Sequence, residues 1–327
     1  MTDLYALLSK TQAFKTINGD KNAGRLSHAY LVLTSDEQNL TAYLKMLASV
    51  IACEEDGACG KCRTCKLIEQ SAYSDVYFYP RENQSITSEE VNDLIEESYL
   101  KPIESDKKIF VLDKAQTMNA SAQNKLLKTL EEPPKNVHIL IGATSEFPLL
   151  STVKSRVKKL EIAPFNKEQL FDALKEDCPD HEKLQIAIAC SDGTVGNATA
   201  LYNDQNLKEL TDLAVEVLTQ MQSSKDVLKY SLKVSNGKWD LGEFISVLEL
   251  LIRDLLAFKE GEEKVAFNHV TLEKLKQAKN FNTGALIYAL EKVSEAQKRK
   301  KFNANPTMLL EWLLFQILEG KYKWQKL

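Results

Sequence analysis

Four of the six cysteines in this chain lie within thirteen residues of one another, at Cys53, Cys59, Cys62 and Cys65, with the spacing C-x5-C-x2-C-x2-C. Four thiolates can surround one Zn²⁺ ion tetrahedrally, and the two C-x2-C steps suit that geometry. Because four thiolates leave no coordination position open, the spacing predicts a structural zinc site at 53–65 and not a catalytic one. An iron–sulfur cluster and an unmetallated cluster are the alternatives that the spacing leaves open.

A second group of residues bears on nucleotide binding. A loop that holds phosphates needs glycines for close backbone approach, a lysine for the β- and γ-phosphates and a hydroxyl for Mg²⁺. Residues 34–41 contain neither glycine nor lysine, and the adjacent Asp36 and Glu37 would repel phosphates. Only Thr41 fits the hydroxyl position. We describe this degenerate phosphate loop by Thr34, Asn39, Leu40 and Thr41.

The apolar run at 108–113 resembles the strand that helps to hold Mg²⁺–ATP in ATPases, because it ends in the acidic residue Asp113. Lys114 follows, where an ATP-hydrolysing protein usually has a glutamate that orients the attacking water. Together with the degenerate loop, Asp113 and Lys114 predict a nucleotide-binding type of fold that holds no nucleotide. We therefore expect no ATP in this chain.

Strands and helices that alternate along the first half of the chain must position these residues. Short apolar runs predict strands at 28–33, 75–79, 108–113 and 137–143. Helical periodicity and capping signals predict helices at 40–51, 87–100 and 119–132. The alternation predicts an α/β domain with a parallel sheet at 1–163, in which the cysteine module follows the helix at 40–51.

After residue 163 the pattern changes to helices alone. Segment 164–206 indicates short helices, and segment 207–327 contains long apolar stripes at helical spacing. We therefore predict a small helical domain at 164–206 and an all-α domain at 207–327. The 12 glycines and 8 prolines are few for 327 residues, which favours long helices over a turn-rich all-β protein.

Charge and hydropathy limit the partners and the compartment. The chain has 42 basic and 46 acidic residues, a net charge of −4, so no bulk positive charge demands nucleic acid. No signal peptide pattern is present at the start, and no stretch approaches the ~20 apolar residues of a membrane-spanning helix. We expect a cytoplasmic protein that contacts no membrane and whose cysteines stay reduced.

Several motifs occur in an order that resembles a known family. They are Ser-His-Ala-Tyr-Leu at 27–31, the four-cysteine cluster, Asn-Lys-Leu-Leu-Lys-Thr-Leu-Glu-Glu-Pro-Pro at 124–134, and Ser155-Arg156. Together they resemble the bacterial DNA polymerase III clamp-loader AAA+ proteins. Within that family, the degenerate phosphate loop favours the delta-prime members over the tau/gamma ATPases. The delta members are disfavoured, because the cysteine cluster and the Ser-Arg pair are not expected there.

The resemblance implies roles for individual residues. The four cysteines resemble the family's zinc ligands, and Ser155-Arg156 resembles the start of its Ser-Arg-Cys motif, with Val157 in place of the cysteine. The arginine of that motif is an arginine finger, which would place Arg156 in the ATP site of a neighbouring subunit. Thr144 resembles the sensor-1 position, and Asn197 lies where an ATPase member carries a sensor-2 arginine.

The resemblance also implies an architecture and a set of partners. The α/β domain would be of the AAA+ type, 164–206 a helical lid, and 207–327 a collar that oligomerises with homologous subunits. The chain would have no catalytic activity of its own and would assemble with tau/gamma ATPase subunits and a delta subunit. During DNA replication it would meet primed DNA within the complex, and the sliding clamp only indirectly.

Two other functions stay open at this point. One is an ATP-binding clamp-loader ATPase of the tau/gamma type with a divergent phosphate loop, which tight Mg²⁺-dependent binding of ATP would reveal. The other is a free-standing zinc protein that binds nucleic acid, which binding of the isolated chain to primed DNA would reveal.

Overall fold

The computed structural model describes residues 4–55, 57–81, 85–261, 275, 281–302 and 304–323. Contacts divide the chain into two compact units, residues 1–173 with 194–196 and residues 174–193 with 197–327. Each unit has a hydrophobic core of its own. The predicted division into three domains at 163 and 206 stays a prediction.

A five-stranded sheet with all neighbouring strands parallel lies in the first unit. Its strands are β1 (Ala29–Thr34), β2 (Val76–Tyr79), β3 (Lys108–Leu112), β4 (Val137–Ala143) and β5 (Lys158–Ile162). Their order across the sheet is β2-β3-β4-β1-β5. The first four strands confirm the predicted ones to within one residue at each end, and the parallel α/β fold class is therefore confirmed.

β5 is a strand that the apolar pattern did not predict. Only Leu160 and Ile162 are buried in it, and the other three residues are exposed. β5 lies at the edge of the sheet and pairs with β1 alone. Because an edge strand with one solvated face alternates between apolar and polar residues, it lacks the continuous apolar run that marks a central strand.

The helices of this region alternate with the strands after β1. They are α1 (Leu4–Ser9), α2 (Gln12–Asn22), α3 (Leu40–Ala52), α4 (Arg63–Glu69), α5 (Ser88–Ser98), α6 (Ala120–Glu131), α7 (Ser151–Lys154) and α8 (Lys167–Leu174). A reciprocal capping box between Thr87 and Glu90 starts α5, as the sequence predicts. α1 and α2 precede the first strand, and the sequence did not predict them.

α3 packs closely against β4 through a glycine. A Cβ atom added at Gly142 would lie 2.4 Å from Leu44 Cδ1 and 3.1 Å from Leu40 Cδ1. A glycine at this position therefore permits the close approach of helix and strand. The position of α3 matters for both candidate sites, because Thr41 lies in its first turn and Cys53 directly follows its last residue.

All the regular secondary structure described in the second unit is helical. The helices after Leu174 are α9 (His181–Cys190), α10 (Val195–Asn203), α11 (Leu207–Gln220), α12 (Ser224–Ser235), α13 (Leu241–Lys259), α14 (Thr283–Lys301) and α15 (Pro306–Lys323). The first two residues of α10 belong to the first unit. None of the helices described combines the length and the apolar character needed to cross a membrane.

Candidate metal centre and nucleotide-site residues

The four clustered cysteines converge at the end of α3 and the start of α4. Cys53 follows α3, Cys62 is the N-cap of α4, Cys65 lies within α4, and Cys59 lies in the connecting loop. The sulfur atoms are 3.7 Å apart for Cys53 and Cys59, 3.8 Å for Cys53 and Cys62, and 3.9 Å for Cys59 and Cys65. A tetrahedral zinc ion with Zn–S bonds of ~2.3 Å requires sulfur atoms ~3.8 Å apart. The cluster could therefore bind a metal ion such as zinc.

Hydrogen bonds within the cysteine loop favour a thiolate at Cys59. The amide of Cys62 donates to Cys59 Sγ at 3.3 Å, and the amide of Cys65 donates to Cys62 Sγ at 3.4 Å. Amide hydrogen bonds from Lys61 and Cys62 lower the pKa of the Cys59 thiol to about 6, whereas burial raises the pKa of Cys53 and of Cys65. A cation amid these sulfurs would lower the pKa of the buried thiols as well, because it stabilises their thiolates.

The cysteine loop turns sharply and is held by α2. Gly57 and Gly60 have φ angles of 68° and 66°, a left-handed conformation that glycine adopts without strain. The amide of Gly57 donates to Asn18 Oδ1 at 3.0 Å, and Lys21 Nζ donates to the carbonyl oxygens of Cys53 and Glu55. The sequence did not predict Asn18 and Lys21 as supports of this site, because neither has a residue type or spacing that points to a metal centre.

The two predicted remnants of a nucleotide site lie next to each other. Thr41 Oγ1 donates a hydrogen bond to the carboxylate of Asp113. Lys114 Nζ lies 3.0 Å from Glu37 Oε1, in an exposed ion pair. Both contacts join the segment around the start of α3 to the segment that ends β3. Thr41 and Asp113, whose counterparts hold Mg²⁺ in an ATPase, are bonded to each other.

The degenerate loop also contains a buried carboxylate that the sequence did not predict to be bonded. Asp36 is 4% exposed and accepts hydrogen bonds from the backbone amides of Val195 and Gly196. The Asn39 side-chain amide and the Tyr43 hydroxyl donate to the same carboxylate. No sequence signal could have identified this contact, because its backbone donors lie about 160 residues farther along the chain.

Arg156 lies between α7 and β5, with its guanidinium at the surface. Nη2 is 2.6 Å from Glu131 Oε1, and Nη1 donates to the carbonyl of Thr152 at 2.8 Å and to Ser155 Oγ at 3.2 Å. The Arg156 side chain is 34% exposed and that of Glu131 is 49% exposed. The backbone carbonyl of Arg156 is 3.1 Å from His28 Nε2. Among the residues that the structure describes, none of these partners belongs to the cysteine cluster or to the degenerate loop.

The two sensor-like positions lie in different elements. Thr144 directly follows β4, and its amide donates to Gln116 Oε1 at 3.3 Å. Asn197 is in the first turn of α10, and it lines an open cavity of about 970 Å³. Neither position has a described contact with Arg156, and the sensor roles of both residues stay predictions.

Comparison with known proteins identifies relatives for most of the chain. A family model described as DNA polymerase III, delta subunit, matches residues 9–166, which hold the sheet, the cysteine cluster and Arg156. The delta' subunit of DNA polymerase III from Bacillus subtilis is 27% identical over 310 residues, covering 90% of this chain and 92% of that protein. The delta' subunit from Haemophilus influenzae is 28% identical over 197 residues, 59% of this chain and 60% of that protein. The tau subunit from Escherichia coli is 29% identical over 187 residues, 54% of this chain and 29% of that protein.

Proposed function

The chain belongs to the delta-prime subunit family of DNA polymerase III, with clamp-loader AAA+ proteins as relatives, and on this premise we propose that it supplies an arginine finger in trans. In this proposal Arg156 enters the ATP site of a neighbouring tau/gamma-like subunit while a sliding clamp is loaded onto DNA. The chain itself hydrolyses no ATP. The observation that carries the proposal is the accessible guanidinium of Arg156, whose partners among the described residues are groups at the surface.

The contacts of Arg156 are weak enough for its guanidinium to leave them and to bind a phosphate instead. Its three contacts engage at most three of the five N–H donors of the guanidinium. An exposed ion pair such as the one with Glu131 contributes only ~0.2–1 kcal/mol. A triphosphate that approached from a neighbouring subunit could therefore compete for the guanidinium, which stabilises the charge on a transferring γ-phosphoryl group.

The proposal that this chain binds no ATP is supported by the composition of its degenerate loop and by the contacts of that loop with the residues after β3. Thr41 and Asp113 bond to each other, and Glu37 neutralises Lys114. The loop contains no lysine to reach a phosphate and no glycine to let the backbone approach one.

We also propose that the cysteine cluster holds a structural zinc ion. The sulfur distances fit a tetrahedral ion, and four protein ligands leave no position for a substrate. Zinc bound there would cross-link the end of α3 to α4 and would stabilise the loop between them.

The partners in this proposal are tau/gamma-like ATPase subunits and a delta subunit. Primed DNA would be met within the assembled complex, and the sliding clamp indirectly. The net charge of −4 is consistent with a chain that does not bind DNA by bulk charge alone. Since clamp loading acts on chromosomal DNA in bacteria, the proposed compartment is the cytoplasm.

The test is the ATPase rate of the reconstituted complex that contains Arg156→Ala. We expect the variant to assemble, and hydrolysis at the ATP site that it serves to fall by about tenfold or more, since arginine fingers contribute orders of magnitude to phosphoryl transfer. Arg156→Lys should recover little of that loss, because an ammonium group cannot reproduce the guanidinium fork.

Lys159→Ala is the matched control, because Lys159 is also a surface cation in an ion pair, with Glu146 at 2.8 Å, three residues from Arg156. It should leave the rate unchanged. An unchanged rate of ATP hydrolysis with Arg156→Ala in a fully assembled complex would contradict the proposal that Arg156 is an arginine finger. Tight Mg²⁺-dependent binding of ATP to the isolated chain would favour the tau/gamma-like alternative.

A further inference from the structure

The carboxylate of Asp36 lies within an anion-binding site made by the chain itself, and we infer that it acts there as a permanent internal ligand. The site is formed by the amides at the start of α10, the Asn39 side-chain amide and the Tyr43 hydroxyl. The chemical group that this site binds is a carboxylate. This inference does not depend on the role of Arg156.

Four donors converge on the Asp36 carboxylate. The amide of Val195 donates to Oδ2 at 3.0 Å, and the amide of Gly196 donates to Oδ2 at 3.2 Å. Tyr43 Oη donates to Oδ2 at 3.0 Å, and Asn39 Nδ2 donates at 3.1 Å. Asp36 and Tyr43 are 4% and 0% exposed, so these bonds form in a site from which water is largely excluded.

The backbone is shaped to bring the carboxylate close. A Cβ atom added at Gly196 would lie 2.6 Å from Asp36 Oδ1 and 2.7 Å from Gln38 Cβ, so only glycine allows this approach. Asp36 precedes a short 3-10 turn at Glu37–Asn39, yet its side chain does not cap that turn. Instead it bonds to a helix about 160 residues away, while its own amide donates to Thr34 Oγ1.

The charge of the carboxylate is suited to this position. The first amides of a helix point outward with partial positive charge, and an anion there is stabilised. Burial and the negative charge of Asp36 raise the pKa of Tyr43, which keeps its hydroxyl a neutral donor. In nucleotide-binding folds a phosphate can satisfy such a helix terminus, whereas here an aspartate that follows β1 does so. The amide donors at the start of α10 are therefore satisfied from within the chain.

The experiment is chemical rescue of Asp36→Ala by formate, followed by thermal unfolding of the full chain. Removal of the carboxylate leaves the donors without an acceptor and a space of about its size. We expect the variant to unfold several degrees below the wild type. Sodium formate at tens of millimolar should raise its melting temperature more than sodium chloride of equal ionic strength does, and should leave the wild type unchanged relative to chloride.

Asp180→Ala is the matched control, because Asp180 caps the exposed start of α9 by accepting from the amide of Lys183 at 3.0 Å. It should lose less stability and should show no rescue by formate. The inference is overturned if Asp36→Ala melts with the wild type, or if formate acts equally on all three proteins. If Asp36→Ala does not fold, the melting temperature of Asp36→Asn is compared with that of Asp180→Asn. An equal decrease in melting temperature in these two variants overturns the inference.

Discussion

The surface around Arg156 shows how one side chain can be oriented without being immobilised. Two acceptors on α7 and its C-terminal end, the carbonyl of Thr152 and the hydroxyl of Ser155, contact Nη1, while Glu131 at the end of α6 contacts Nη2. These contacts set the plane of the guanidinium at little cost in binding energy. We therefore interpret Glu131 as a positioning residue in the proposed finger.

Glu131→Ala tests this interpretation at the level of one side chain. Because the pair with Arg156 is exposed, the variant should lose less than ~1 kcal/mol of unfolding free energy, measured by urea denaturation. In the reconstituted complex it should lower ATP hydrolysis less than Arg156→Ala does. Glu131→Gln, which keeps an acceptor oxygen, should restore most of the rate. A loss of several kcal/mol in Glu131→Ala would contradict the interpretation of an exposed, weak pair.

Among the elements, the close contact between α3 and β4 has the greatest consequence for the candidate sites. α3 begins in the degenerate phosphate loop and ends at the first cysteine ligand, so a shift of this helix moves both. Its position depends on the absence of a side chain at Gly142.

Gly142→Ala should therefore destabilise the chain. The added methyl group would lie 2.4 Å from Leu44 Cδ1, and overpacking of this kind costs ~1–3 kcal/mol. Gly19→Ala in α2 is the matched control, because nothing lies within 4 Å of its added Cβ, and it should stabilise the helix by ~0.5–1 kcal/mol. Urea denaturation of the two variants measures both effects. If Gly142→Ala and the wild type had equal free energies of unfolding, α3 could move away from β4 without destabilising the chain.

In a second contact between elements, a lysine of α15 donates hydrogen bonds to carbonyl groups at the C-terminal end of α11. Lys321 of α15 is 5% exposed, and its Nζ donates to the carbonyls of Leu218 and Met221 at 2.9 Å each. Burial lowers the pKa of Lys321 from 10.5 to about 8. The unfolded chain therefore holds this proton more tightly than the folded chain between these two pH values, so this lysine makes folding more favourable as the pH rises from 8 to 10.5.

Lys321→Met should remove that pH dependence. The wild type should gain ~1–3 kcal/mol of unfolding free energy relative to the variant as the pH rises through this range, and below pH 8 the difference should be constant. Denaturation at a series of pH values measures the difference. Parallel curves for the two proteins across the whole range would show that Lys321 titrates normally.

Elements that a local pattern of residues specifies could be predicted from the sequence. Elements and contacts that depend on residues far away in the chain could not. The central strands are continuous apolar runs, so β1, β3 and β4 could be located. β5 and the two helices before β1 could not be located, because their patterns are short or amphipathic. Such patterns do not specify an element without the contacts that the folded chain provides. The cysteine cluster was found from spacing alone, whereas the contacts of Asp36, Asn18 and Glu131 join residues far apart in the chain.

At the scale of the whole molecule, the two compact units carry different parts of the proposed function. The cysteine cluster, the degenerate loop, Asp113 and Arg156 all lie within residues 1–173, and the family match at 9–166 covers the same region. Among the predicted site residues, only Asn197 belongs to the helical second unit. The second unit is therefore the region that we expect to serve assembly more than chemistry.

Metal removal tests the contribution of the cysteine module to the stability of the chain. The purified protein should contain one zinc ion per chain by elemental analysis, and a chelator under reducing conditions should lower its melting temperature by several degrees. Cys62→Ser should lose the metal. Cys178→Ser, at a buried cysteine outside the cluster, should retain it. Iron in place of zinc, or no metal, would contradict the proposed site.

The contact between Asp36 and the start of α10 has a consequence for biosynthesis. Asp36 is synthesised about 160 residues before its amide donors. At the usual ~5–20 residues per second, the nascent chain extends for roughly 8–30 s before they meet. Since residues 194–196 belong to the first unit, that unit cannot be completed when translation reaches the end of β5. A nascent chain that stalls before residue 194 would leave the acidic side chain without its amide donors.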